Sequence, residues 1–165
     1  MDIEFQGKIG TLSNLKPGTF FVTRKDEFTI FGLSAVYSGG AAAVLLNQAF
    51  KAEEQYPSIV TEGYLGGAGI IELPTAFLAP ALSITGLQYT STQRDGPGAL
   101  RVSNDKIAMR VMRRAEGFFY LDVRSGAIAT SPPPGVEIPR WSVKLPGRQN
   151  SEVTLLEFHG PRPMA

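Results

Sequence analysis

The chain has 165 residues and no cysteine, which suits one domain, or two small ones sharing a core, and excludes disulfides, thiolate metal sites and cysteine nucleophiles together. Its formal net charge of +1 lacks the strong basic footprint of a dedicated nucleic-acid binder, and no apolar run approaches the ~20 residues of a membrane-spanning helix. Eighteen glycines and twelve prolines favour short strands joined by frequent turns over long helices.

The chain opens on "MDIEFQGKIG", acidic where a signal peptide would be basic, so a soluble chain without a signal peptide is expected, cytoplasmic or associated with a particle. From Pro17, "PGTFFVTRKDEFTIFGL" reads as a Pro-Gly turn, a short strand, a charged turn and a longer strand. The adjacent Phe20 and Phe21 place apolar groups on both faces of the first of these strands, as in the interior of a sandwich or barrel. The next run, "AAAVLLNQAFKAEEQY", is ambiguous over 41–56. Leu45, Leu46, Ala49 and Phe50 would share a helical face that stops at Pro57, whereas the repeat described below makes "AAAVLLN" a strand with a short helical turn over 48–56; the strand is preferred.

"PSIVTEG" and "GAGIIELP" follow as short β runs. The glycines between and within them, Gly63, Gly66, Gly67 and Gly69, suggest a phosphate-binding loop, but no Lys-Ser or Lys-Thr follows and Pro74 interrupts the helix such a loop needs. A tight bend or bulge is the expected role. "ITGLQYTST" is a further β run, and a module boundary is expected within 75–95, dividing the chain into 1–80 and 81–158, with 159–165 as a C-terminal arm.

A second Pro-Gly pair begins at Pro97, 80 residues after Pro17, and opens "PGALRVSNDKIAMRVMR", which repeats the plan of the first module with few identities. In "KIAMRVMRRAEGFFYLDVRSGAIAT", a loop at Ala115-Glu116-Gly117 would set Arg113 opposite Phe119, Val111 opposite Leu121 and Met109 opposite Val123, with Ile107 on the same buried face. Arg110 would then face Asp122, and a Ser125-Gly126 turn would bring Ile128 back across from Val123. "SPPPGVEIP" is expected as an extended connector, because its prolines remove donors, and "RWSVKL" and "SEVTLLEFHG" as closing strands. The fold class is therefore mainly β, a β-barrel or β-sandwich built from two weakly similar antiparallel meander modules with at most one or two short helices.

Reactive chemistry finds little support. The single histidine, His159, rules out a zinc site built from His and Cys and has no G-x-S-x-G elbow beside it, so it is expected to be a structural or surface residue. Glu53, Glu54, Glu62 and Glu72 could serve a carboxylate hydrolase only if two of them met across a cleft, and no calcium-loop pattern is present. No cofactor or metal is expected.

The strongest functional candidate is the outer face of the second hairpin. Arg110 and Arg114 share it with Phe118, Tyr120 and Arg124, a mixture that can grip phosphate and stack on bases, or serve a protein interface. Asp122 in the middle of the face and the small net charge favour the protein interface, so nucleic acid is not an expected partner; a plain solvated face is the bland reading.

Charge is unevenly placed. Up to Thr90 five basic residues stand against eight acidic, a net of −3, and the remainder carries eleven against seven, a net of +4. Such a split suits head-to-tail contact between copies or an anionic partner. The expected function is a non-catalytic assembly protein acting as a homo-oligomer or docked on a larger complex. A carbohydrate- or peptide-binding domain stacking its ligand on Trp141, Tyr89 or Tyr120 is the alternative, and a small carboxylate hydrolase the third reading. In composition and pattern the chain resembles small β-rich proteins of bacteriophage particles and other bacterial assemblies, a resemblance that implies a virion component.

Overall fold

A computed structural model describes residues 9–47, 57–67, 69–81, 98–147 and 150–159. Within them the strands are β1 Ile9–Gly10, β2 Phe20–Lys25, β3 Phe28–Tyr37, β4 Gly40–Leu45, β5 Ser58–Thr61, β6 Ile70–Leu73, β7 Phe77–Pro80, β8 Leu100–Val102, β9 Ile107–Arg113, β10 Gly117–Asp122, β11 Ile128–Ala129, β12 Val136–Ile138, β13 Trp141–Pro146 and β14 Glu152–Phe158. Helical parts include a 3-10 turn at Leu12–Asn14 and the four-residue helix α1 at Glu62–Leu65. Eleven strands form one sheet, and β14, β13 and β7 form a second, antiparallel one. Trp141, Val143, Phe158 and Leu78 of the smaller sheet join the core lined by the larger one, a sandwich-like all-β arrangement.

The two halves share a pattern of strand pairing. In the first module Phe20 pairs with Leu33, Leu33 with Val44 and Val44 with Ile59; in the second Leu100 pairs with Met109, Met109 with Leu121 and Leu121 with Ile128. All eight side chains belong to or pack against the same core. The Pro-Gly corners match as well: Gly18 N–H donates to Ser34 O at 2.8 Å and Gly98 N–H to Arg110 O at 2.9 Å, each glycine at positive φ.

The two meanders meet at two equivalent seams. Met112 N–H donates to Pro57 O and Val36 N–H to Gly126 O, both at 2.9 Å, and each seam is a single parallel bridge, Ser58 with Met112 and Val36 with Ala127. The large sheet therefore curls back on itself at points rather than through ladders, and no closed barrel results. Residues from 1–80 and 81–158 share one core, and β7 of the first pairs with β13 of the second, so the two modules also share a sheet.

The run "AAAVLLN" is a strand over Gly40–Leu45, as the repeat requires. The helical turn expected over 48–56, the run "ITGLQYTST" with Tyr89, and the arm beyond His159 lie outside the described residues. Two expectations need correction. The β9–β10 turn is Arg114-Ala115-Glu116, so Val111 faces Phe119, Met109 faces Leu121 and Arg110 faces Tyr120, two residues from the expected register. Ile128 accordingly faces Leu121. A slip of two leaves every side chain on its expected face, which is why alternation could not detect it. The connector also becomes strand after its prolines, where Val136–Ile138 pairs with β8.

The adjacent phenylalanines do line both faces of β2. Phe20 joins the shared core, while Phe21 joins a second cluster of Leu12, Ile30, Ala43, Leu45, Leu65 and Ile70, roofed by the 3-10 turn and α1. Phe21 stands opposite Gly32, whose missing side chain makes room for the ring: a Cβ there would lie 2.2 Å from the Phe21 Cζ. Gly32→Val should cost about 1–3 kcal/mol through overpacking, read as a lower denaturant midpoint at unchanged slope. An unchanged midpoint would contradict this packing.

Candidate functional site

Alternation along β9 and β10 buries Met109, Val111 and Leu121 and turns Arg110, Met112, Phe118 and Tyr120 to the opposite face. Arg110 stands opposite Tyr120 and Met112 opposite Phe118. The Arg110 guanidinium lies over the diagonal neighbour Phe118, 4.0 Å from the ring centroid, and Phe118 is 40% exposed. The Arg110 Nε is buried with no hydrogen-bond partner among the described residues. A guanidinium stacked on a ring in this way is held flat and keeps its edge available for an acceptor.

Asp122 does not neutralise this cation, contrary to expectation. It stands opposite Ala108, and its Oδ1 accepts from Arg124 N–H at 2.9 Å and Ser125 N–H at 3.2 Å, capping the turn after β10. Glu116, in the turn before β10, is also engaged: it accepts from the Tyr37 hydroxyl and pairs with Arg113 Nε at 3.2 Å. Arg113 lies 4.3 Å over the Tyr37 ring, which in turn meets Phe119 edge-on at 5.6 Å. Tyr37, Arg113 and Glu116 thus clasp the end of β3 to the β9–β10 hairpin. Nothing in the sequence pointed to them, because the hydroxyl and its acceptor are separated by 79 residues.

The structure therefore brings Arg110, Phe118 and Tyr120 together. It sets Arg114 in the turn at one end of β10 and Arg124 in the turn at the other, both exposed. Trp141 does not belong with them: it is 2% exposed, stacks on Phe158 at 4.9 Å and donates its Nε1–H to Gly98 O at 2.8 Å. Its alternation with Val143 along β13 aims it into the core, so it offers no stacking surface to a ligand.

Comparison with protein-family models, curated proteins and solved structures finds no match. The site rests on its own geometry, and the similar strand pairing of the two halves is the most informative guide to it.

Register makes Ser34, Ala43 and Val60 of the first module equivalent to Arg110, Tyr120 and Ala129 of the second. In the first module this outer face is apolar and roofed by Leu12 and Leu65. Ser34 is tied down there, its hydroxyl donating to Lys16 O at 2.7 Å and accepting from Thr19 N–H at 2.9 Å. The second module carries a cation, one aromatic ring and an alanine at the matching positions, and among the described residues no helix covers them.

Elsewhere, Gly63 of the glycine cluster lies within α1, and Gly66 and Gly67 form a bend directly after it, both at positive φ. Glu62 accepts from Ser13 N–H, while Glu53 and Glu54 lie outside the described residues. No group of three or more His, Asp or Glu poised for a metal occurs among the described residues. His159 is exposed and faces Glu157 at 3.3 Å, a surface pair of little energetic weight. No described helix is long and apolar enough to cross a membrane.

Proposed function

We propose that the protein is a non-catalytic assembly subunit that works by docking its β9–β10 outer face on another protein surface, within a homo-oligomer or a larger particle such as a bacteriophage virion. The observation that carries this reading is the divergence between the matching faces of the two modules. One module roofs its outer face with its own chain and holds Ser34 buried there by hydrogen bonds; the other carries Arg110 at the Ser34 position, stacked on an exposed Phe118, while the carboxylates beside them are already engaged. Arg and aromatic residues are the types enriched at interface hot spots, and a guanidinium already held against a ring loses little freedom on docking.

The test is a pair of surface substitutions, Arg110→Ser and Phe118→Ser, followed by sedimentation velocity. Each should weaken association about tenfold or more, the equivalent of about 1.4 kcal/mol or more, with an unchanged far-UV circular dichroism spectrum. Association that is indifferent to both substitutions would remove this face from the account.

A further inference from the structure

If the β9–β10 face docks as just proposed, its occupant is a feature of the first module. The β2–β3 hairpin is the counterpart of β8–β9, yet it is drawn out further: six residue pairs run from Phe20–Leu33 to Lys25–Phe28, against three from Leu100–Met109 to Val102–Ile107. Its tip is Asp26-Glu27, with Asp26 at a φ of 55°, followed by Phe28, which is 44% exposed. Lys25 is turned back onto its own module, its Nζ donating to Tyr64 O at 2.6 Å and lying 3.8 Å over the Tyr64 ring. Alternation sets Arg24 on the other face of the strand from Lys25. Neither Asp26 nor Glu27 has an ion-pair partner among the described residues, and the same holds for Arg110, Arg114 and Arg124.

We propose that the occupant of the β9–β10 face is the Asp26-Glu27-Phe28 tip of a second copy of this chain, its carboxylates meeting Arg110 and Arg114 and its phenyl ring lying beside Phe118. The tip belongs to the half of the chain with net charge −3 and the face to the half with +4, so approach of unlike ends is favoured and approach of like ends opposed. Tip and face are different patches, so the contact is head-to-tail. It propagates as a filament, or closes as a ring if the rotation between copies allows.

Charge reversal tests the pairing. One variant carries D26K and E27K, the other R110E and R114E, and each alone should lose self-association by about tenfold or more. Mixed in equal amounts they should assemble again, because the reversed tip of one fits the reversed face of the other and the two unreversed patches also match. Recovery in the mixture shows both variants to be folded. If the face variant loses association while the tip variant keeps it, this inference falls and the docking face stands. If neither variant is affected, both fall. A wild-type chain that stays monomeric at every concentration overturns the inference and leaves the face to an unlike partner, an acidic protein or a nucleic acid, the latter distinguished by binding of a labelled oligonucleotide.

Discussion

Replacing Trp141 by alanine should destabilise the protein by about 3–5 kcal/mol, the largest effect expected of any single truncation in the core. Trp141 is the only tryptophan, is fully buried, and sits where the two sheets meet, with Phe158 of β14 stacked on it at an interplanar angle of 14°. The loss has two separable parts. One is the packed volume of the indole, which neighbours drawn from both modules can refill only partially. The other is the hydrogen bond to Gly98 O, whose removal leaves a carbonyl at the Pro-Gly corner without its buried donor, a cost of about 1–3 kcal/mol. Trp141→Phe removes the donor while keeping most of the aromatic packing, and should lie between alanine and wild type. Chemical denaturation followed by circular dichroism gives both values. An alanine variant within about 1 kcal/mol of wild type would contradict the placement of the two sheets around this residue.

Gly18→Ala should be nearly as damaging, and for a different reason. Gly18 has a φ of 84°, and a Cβ there would lie 2.2 Å from the backbone oxygen of Arg124. Backbone cannot step aside as a flexible side chain can. The left-handed conformation adds about 1–2 kcal/mol, and relief of the overlap about 1–3 kcal/mol more. The strain falls on one seam: Gly18 and Gly126 stack where Val36 N–H donates to Gly126 O, so the alanine variant should open that junction first. Hydrogen exchange should show the Val36 amide losing protection while the Met112 amide, at the opposite seam, keeps its own. Equal loss at both amides would mean that the curled sheet yields as a whole and not at its seams.

How much of this was legible beforehand follows from the range of each signal. Alternation of Met109, Val111 and Leu121 announced the buried face of the second meander, and the adjacency of Phe20 and Phe21 announced a strand covered on both sides. Both are local patterns with direct physical causes. The turn register was legible only to within two residues. A three-residue loop one position earlier preserves every face, and Ala115 and Gly117 both take positive φ, so glycine alone did not mark the corner. Asp122 was misread as a cross-strand partner although its place before "VRSG" suits a side chain that caps its own turn. The features that join the modules, the β7–β13 pairing, the Tyr37 clasp and the seam at Met112, depend on residues far apart in sequence and left no mark within either partner.

The candidate site was legible as a set of residue types and illegible as an arrangement. Arg110, Phe118 and Tyr120 were correctly placed on one outer face by parity. That Arg110 lies over Phe118, with neighbouring carboxylates engaged elsewhere, needed the structure. Trp141 was grouped with ligand-stacking residues for its chemistry, although its alternation with Val143 already aimed it inward.

The most direct test of the assembly role is the mass of the wild-type protein in solution, by light scattering coupled to size exclusion over a wide range of concentration at low and high salt. A mass that rises with concentration toward a defined multiple of 17.8 kDa and falls back as salt screens the contact is the predicted result. A strict monomer of 17.8 kDa under every condition would contradict self-assembly.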